Sequence, residues 1–199
     1  MGQSQVAVSV LVFLGNPDRE YAQTRHNFAW LCAEKISGAL GDFSGWSKKF
    51  KGSYGKVRTS KGDMHLLKPL TYYNHSGESL QALLQFFKLP LDQVLLIYDD
   101  IELPLGTLTL QFAGGLGGNK GLRSIVQNSG SPDFFRLRLG IGRPVHGGVD
   151  GWVLGKFSPD ELILVSQVLE ETQKILESFG ISREMLNEVR QGAKQKFMV

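Results

Sequence analysis

VAVSVLVFL (6–14) running into GNPDREYAQTRHN (15–27) is the stretch on which the reading of the fold turns. The first part is apolar apart from Ser9 and rich in Val, Leu and Phe, the composition of a strand buried on both faces. Gly15-Asn16-Pro17 stops it. A strand that stops this way presents its last side chain at the carboxyl edge of a sheet, where α/β proteins place their sites. One turn and a charged segment later, Thr24-Arg25-His26-Asn27 heads a helical pattern over 27–40. Asn16 and His26, ten residues apart, are thereby offered to one cleft. An imidazole moves a proton and an amide holds an oxygen, which suits hydrolytic or acyl-transfer chemistry. A histidine near a helix start, taken alone, reads more simply as a cap or surface residue, so the rest of the chain has to decide.

Working outward, Gly38, Gly41 and Gly45 end the first helix. Residues 46–60 mix Lys48, Lys49, Lys51, Lys56 and Arg58 with Trp46, Phe50 and Tyr54, which predicts a strand or hairpin with a basic face. A short strand over 63–68 stops at Pro69. The stretch 76–87 carries Leu80, Leu83, Leu84 and Phe87 at helical spacing. VLLIY, closing at Tyr98, reads as a second buried strand ending before Asp99-Asp100. Strands follow over 107–112 and 135–141, the latter alternating Arg and Leu as a half-buried strand does. A short helix opens at Gly121. A long amphipathic helix spans 159–179, with Ser158 and Glu161 as a capping box. A basic helix is expected over 185–196. Strands alternating with helices, two strands being solidly apolar, predict an α/β fold: a single three-layer domain over 1–199 with a mixed, mostly parallel, twisted sheet flanked by helices.

The 199 residues suffice for one well-buried core. With 42% hydrophobic and 21% charged residues the chain is that of a soluble globular protein. A net charge of +3 is compatible with a phosphate-bearing partner without demanding one. Cys32 is the only cysteine, so no internal disulfide forms and no thiolate cluster holds a metal. Its apolar helical surroundings make it a packed core thiol rather than a nucleophile. No apolar run reaches the roughly 18 residues that span a bilayer. The opening MGQSQ lacks the basic region of a signal peptide, and Gly2 with Val6 is a poor myristoylation match, so a reducing cytoplasm is expected.

Four polar clusters follow apolar segments: Asn16; His26 with Asn27; Tyr72-Tyr73-Asn74-His75-Ser76-Gly77; and Asp99-Asp100-Ile101-Glu102. A carboxylate at Asp99 suits a histidine partner, since it fixes the ring tautomer and stabilises the imidazolium formed on proton uptake. A capping or turn aspartate is the equal alternative; Asp100 and Glu102 are expected to face water. No Gly-x-Ser-x-Gly elbow is present, so a histidine-activated water is favoured over a covalent intermediate. His65, His75 and His146 lack ligand spacing and read as surface or loop residues, and no metal is expected. GGLGGNKG (114–121) is a glycine-rich loop entering a helix but not a Walker motif, because Gly follows Lys120. Lys120 and the helix amides there favour an anion.

Together these segments resemble the bacterial-type peptidyl-tRNA hydrolase family. The motifs run in order: LGNP at 14–17, TRHN at 24–27, P-x-T-x-x-N-x-SG at 69–77, YDD-x-x-LPLG at 98–106, GG-x-x-GL at 117–122, FFRLRLGIGRP at 134–144 and VLGKF at 153–157. The resemblance implies cleavage of the ester joining a peptide to the 3′ end of tRNA, by a cytoplasmic monomer acting on the acceptor end of peptidyl-tRNA without metal or other cofactor. It implies His26 as the general base, Asp99 as the group that orients it, and Asn16 and Asn74 as substrate-positioning amides. Tyr72 and Tyr73 either contact the terminal adenosine or peptide, or pack in the core. Arg138 matches a basic residue of the family's tRNA clamp, whose lysine partner is Gln111 here.

The chain departs from the family pattern in the glycine loop, which in the family reads Gly-Gly-His-Asn-Gly. Asn119 stands for the histidine and Lys120 for the substrate-binding asparagine; Tyr73 stands for the usual methionine. Lys120 then either replaces an amide donor with a cationic one or meets a phosphate. Arg123, Arg136, Arg143 and the basic residues of 183–196 are candidates to compensate at the tRNA surface. Two rivals stand beside hydrolysis. One is a non-catalytic, splicing-type RNA-binding relative of this fold, favoured by the altered loop and disfavoured by Asn16, His26, Asn74 and Asp99. The other is a nucleotide-binding oxidoreductase, supported by glycine content alone.

Overall fold

A computed structural model describes residues 8–59, 62–179 and 183–199. Among the described residues the strands are β1 (Val10–Phe13), β2 (Asp42–Phe43), β3 (Ser47–Lys49), β4 (Gly52–Thr59), β5 (Gly62–Pro69), β6 (Val94–Asp100), β7 (Thr107–Phe112), β8 (Phe135–Gly140) and β9 (Gln195–Met198). The helices are α1 (Phe28–Ile36), α2 (Ser76–Phe87), α3 (Lys120–Ser129), α4 (Val149–Val153), α5 (Pro159–Phe179) and α6 (Arg183–Arg190). All strands join one sheet in the order β2-β4-β5-β1-β6-β8-β7-β9, with β3 also paired to β4. The central pairs β5–β1, β1–β6 and β6–β8 are parallel. Both flanks are antiparallel. The sheet is therefore mixed, with its parallel part confined to the middle four strands, less than the sequence suggested.

Period-two alternation decides the layers. On β1, Leu11 and Phe13 join Leu95 and Ile97 of β6 in a core closed by Phe28, Cys32 and Ile36 of α1 and by Val165 and Val168 of α5. Val10, Val12, Val94, Leu96 and Tyr98 point to the opposite side, where Leu80 and Leu83 of α2 and Leu122 and Ile125 of α3 cover them. Burial of the Cys32 thiol pushes its pKa up to about 12, which makes it an inert core residue.

Several expectations shift. β1 is shorter than 6–14 within the described residues, and Val6 and Ala7 lie outside them, as do Met1–Gln5 and Ser60. The first helix ends at Ile36, before Gly38. The basic hairpin forms as β3 and β4, turning at Phe50 and Lys51 with φ of 54° and 52°. β6 continues through Asp99 and Asp100, because both pair with β8, at Leu139 and Gly140. The basic helix expected over 185–196 ends at Arg190; Gly192, at φ 106°, breaks it, and the chain returns as β9 along β7. Arg136 is fully buried, and β8 is not the half-buried strand that its Arg–Leu alternation predicted. His65 is neither a surface nor a loop residue: it lies buried on β5, its Nδ1 2.9 Å from the Tyr54 hydroxyl.

Candidate active site

The site lies at the carboxyl ends of β1 and β6, where the loops leaving both strands meet the loop before α3. It opens into a cleft of about 820 Å3, lined by residues that include Asn16, His26, Asn74, Asp99, Lys120 and Arg138.

Each residue of the TRHN turn has a different task. Thr24 Oγ1 donates to the Tyr21 carbonyl. Arg25, buried under Trp152 at 3.7 Å, donates Nη1 to the Lys156 carbonyl and Nη2 to both carboxylate oxygens of Glu161. Asn27 has no exposed surface: its Nδ2 donates to the Asn16 carbonyl (2.9 Å) and its Oδ1 accepts from the Asn16 N–H (2.8 Å). This reciprocal amide pair ties the loop after β1 to the turn before α1. His26 alone among the four turns to the cleft, its side chain 19% exposed.

Alternation along β6 puts Asp99 on the face of Leu95 and Ile97, under the start of α1. Its Oδ2 lies 2.9 Å from His26 Nδ1. Its Oδ1 accepts from the Tyr73 hydroxyl at 2.9 Å. An ionised carboxylate only accepts, so His26 carries its proton on Nδ1 and keeps the Nε2 lone pair free for chemistry. The sequence could not choose between a dyad carboxylate and a turn aspartate; the geometry makes it a partner of His26.

The third polar cluster folds into a tight 3-10 turn, Tyr73–His75, entered through a strained Tyr72 at φ 59°, ψ 159°. Tyr72 is exposed and donates its hydroxyl to Asp18. Asn74 is exposed on the cleft. Tyr73 is buried, its N–H held by Asn16 Oδ1 at 2.9 Å and its ring stacked on His26 at 3.7 Å. Asn16 Nδ2 makes no hydrogen bond among the described residues, and Asn16 lines the cleft together with Asn74. Of the two roles open to Tyr73, packing is the one its burial fits.

The glycine loop brings two further residues to the rim. Asn119 caps α3, its Oδ1 accepting from the Leu122 N–H at 3.0 Å, and its Nδ2 donates to the Tyr73 hydroxyl at 3.1 Å. Lys120 is exposed on the cleft and makes no ion pair among the described residues. Gly121 has to be glycine: a Cβ there would stand 2.6 Å from the Tyr73 ring. Arg136, proposed above as a tRNA contact, instead reaches under this loop and donates to the carbonyls of Gly115 (2.7 Å) and Gly114 (3.1 Å).

Arg138 lies in the cleft wall, its Nε 2.8 Å from Asp100 Oδ2 and its Nη1 3.3 Å from Gln111 Oε1. Asp100 is therefore an ion-pair partner and not the water-facing residue expected. Glu102 is exposed, paired with Arg143. Lys194, one of the basic residues of 183–196 offered for the tRNA surface, also lines the cleft, but from the segment between α6 and β9 and not from the helix expected. Among the described residues no cluster of His, Cys, Asp and Glu could hold a metal ion. Among the described residues no helix is long and apolar enough to cross a membrane.

The chain is similar to known proteins in both sequence and fold. The family model described as peptidyl-tRNA hydrolase matches residues 10–197. The peptidyl-tRNA hydrolase of Geobacter sulfurreducens is 42% identical over 173 residues, 87% of this chain and 89% of that protein. That of Synechococcus sp. strain JA-2-3B'a(2-13) is 42% identical over 175 residues, 87% of this chain and 78% of that one. The crystal structure of the Acinetobacter baumannii peptidyl-tRNA hydrolase superposes with a TM-score of 0.84 at 31% identity, covering 96% of each chain. The motifs, the sheet that places them and these likenesses lead to one assignment: the chain belongs to the peptidyl-tRNA hydrolase family.

Proposed function

We propose that the chain hydrolyses the ester between peptide and tRNA in peptidyl-tRNA, with His26 as the general base and Asp99 as its orienting partner. The 2.9 Å contact between His26 Nδ1 and Asp99 Oδ2 in the wall of a large cleft is the observation that carries this reading. Nε2 takes a proton from water as the oxygen attacks the ester carbonyl. Positive charge grows on the ring, and the buried carboxylate behind it offsets that charge. Asn16 Nδ2 and the Asn74 amide are the donors for the substrate carbonyl as it becomes an oxyanion. The proton on Nε2 then passes to the departing 3′ oxygen, leaving peptide acid and free tRNA. An ester is activated enough for one base, one orienting carboxylate and aimed donors to suffice.

Lys120, Lys194 and Arg138 supply positive charge along the cleft for the phosphates of the acceptor end, contacts that position the substrate without reading its sequence. Tyr72, exposed at the rim, is a surface for the terminal base or the peptide. The reading includes a cytoplasmic monomer that needs no metal. The RNA-binding rival is disfavoured, because binding alone has no chemical use for a buried carboxylate locked onto a cleft-facing histidine.

Hydrolysis of an N-acylated aminoacyl-tRNA, set against the free aminoacyl-tRNA, tests the proposal. Cleavage of the acylated form is expected, with a loss of about 100-fold or more in His26→Ala. Binding of tRNA without ester cleavage by the intact protein would establish the rival.

A further inference from the structure

We propose that Tyr73 and Asn119 are positioning residues, joined as a hydrogen-bond relay from Asn119 Nδ2 through the Tyr73 hydroxyl to Asp99 Oδ1, which fixes the carboxylate and with it the His26 ring. This rests on the hydrolytic reading above. They are two of the three positions, with Lys120, at which these motifs depart from the family pattern, and in the fold they touch.

Every polar atom of the relay has one available direction. Asp99 is buried, and with Oδ2 facing His26 its other oxygen needs a donor. An unpartnered buried oxygen is costly and would leave the carboxylate free to rotate. The Tyr73 hydroxyl has a single proton, which it gives to Oδ1 at 2.9 Å, so it can only accept from its other neighbour. That neighbour is Asn119 Nδ2 at 3.1 Å. The Asn119 amide cannot flip, because its oxygen caps the first turn of α3 through the Leu122 N–H. Burial and the adjacent Asp99 charge push the Tyr73 phenol well above its usual range, so it remains a donor at any working pH.

Contacts also constrain the tyrosine ring itself. It stacks on His26 with 18° between the planes, lies against Gly121, and has its backbone N–H held by Asn16. It therefore sets the plane of the imidazole, while its hydroxyl sets the carboxylate that this imidazole faces.

The experiment measures kcat and KM for N-acyl-aminoacyl-tRNA with wild type, Tyr73→Phe, Asn119→Ser, the double variant and His26→Ala, alongside NMR of the histidine ring nitrogens. Tyr73→Phe keeps the ring and its stack; Asn119→Ser keeps a helix-capping oxygen. Tyr73→Phe is expected to lower kcat roughly 10- to 100-fold, the worth of a hydrogen bond to a charged group, with KM nearly unchanged. Asn119→Ser loses less, and the double variant is no worse than Tyr73→Phe, since the second change finds the relay already cut. The His26 Nδ1–H signal shifts or broadens in Tyr73→Phe while that of His65 stays in place. Unchanged kcat with an unchanged His26 signal overturns the relay, as do losses that add in full. Should Tyr73→Phe fail to fold, Asn119→Ser decides by the same His26 signal. If His26→Ala cleaves like wild type, the hydrolytic reading falls, while the ring signals still report on the relay.

Discussion

His65 shows how a single side chain couples to solution conditions without touching the site. It is buried on β5 against Phe87, ring centroids 4.1 Å apart, and faces the Tyr54 hydroxyl. Burial holds its pKa below the usual histidine value, with Lys56 acting in the same direction and Asp63 opposing. The unfolded chain therefore takes up the proton first as pH falls. Stability is complete above the unfolded value of about 6.5 and declines from there toward the lower folded value. Melting temperatures measured between pH 8 and pH 5 should fall for wild type, and the slope should flatten in His65→Gln. Read as sequence, His65 gave no sign of this, because a strand histidine looks alike whether its face is covered or open. Asn16 and Asp99 were legible as polar residues closing apolar runs, and His26 as a polar residue heading a helical pattern. The linkage of Tyr73 to Asp99 was not, since it depends on where a hydroxyl 26 positions away in sequence comes to rest.

Among the elements, those with strong local signals were readable and those made by tertiary pairing were not. The capping box at the start of α5 forms as its spacing predicts, Ser158 N–H donating to Glu161 Oε2 at 2.7 Å and Glu161 N–H to Ser158 Oγ at 3.2 Å. What the motif could not convey is that the same carboxylate also receives Arg25, so the cap of one helix braces the turn that carries His26. β9 was missed because four residues with alternating exposure after a basic helical pattern carry little strand signal, and only the partner β7 makes them a strand. Its register runs from Thr107 opposite Met198 to Leu110 opposite Gln195. The backbone bond from Val199 N–H to the Gly106 carbonyl closes it. Removing residues 195–199 should bare the ladder groups of β7, an open edge of the kind that promotes association. The expected outcome is a lower melting temperature and concentration-dependent light scattering, with a protein that still folds, because the cores on both faces of the sheet lose only partly buried Phe197.

At the scale of the whole molecule, the fold gathers one site from residues near 16, 26, 73, 99 and 119, and gathers charge around it unevenly. A net charge of +3 is too small to steer RNA by itself, so the distribution matters more than the sum. Arg138 and Arg143 are each engaged by a carboxylate, Asp100 and Glu102, and their fields at a phosphate are partly cancelled. Lys120 and Lys194 line the same cleft with no such partner among the described residues. Lys194 reaches it only because β9 runs antiparallel to β7, continuing the register that sets Gln195 against Leu110 toward Gln111. The unpaired lysines should then dominate the salt dependence of substrate capture. Each cation that meets a phosphate of a single-stranded end contributes a slope of about 0.7 in the logarithmic dependence of affinity on salt. In Lys120→Gln and in Lys194→Gln, log(kcat/KM) for acylated tRNA plotted against log salt should flatten by about that amount, the loss falling on KM. Arg143→Gln, which removes a cation already matched by Glu102 away from the cleft lining, should leave the slope nearly as it was. Equal slopes in all three variants would move the phosphate contacts away from this cleft and leave the dyad chemistry standing.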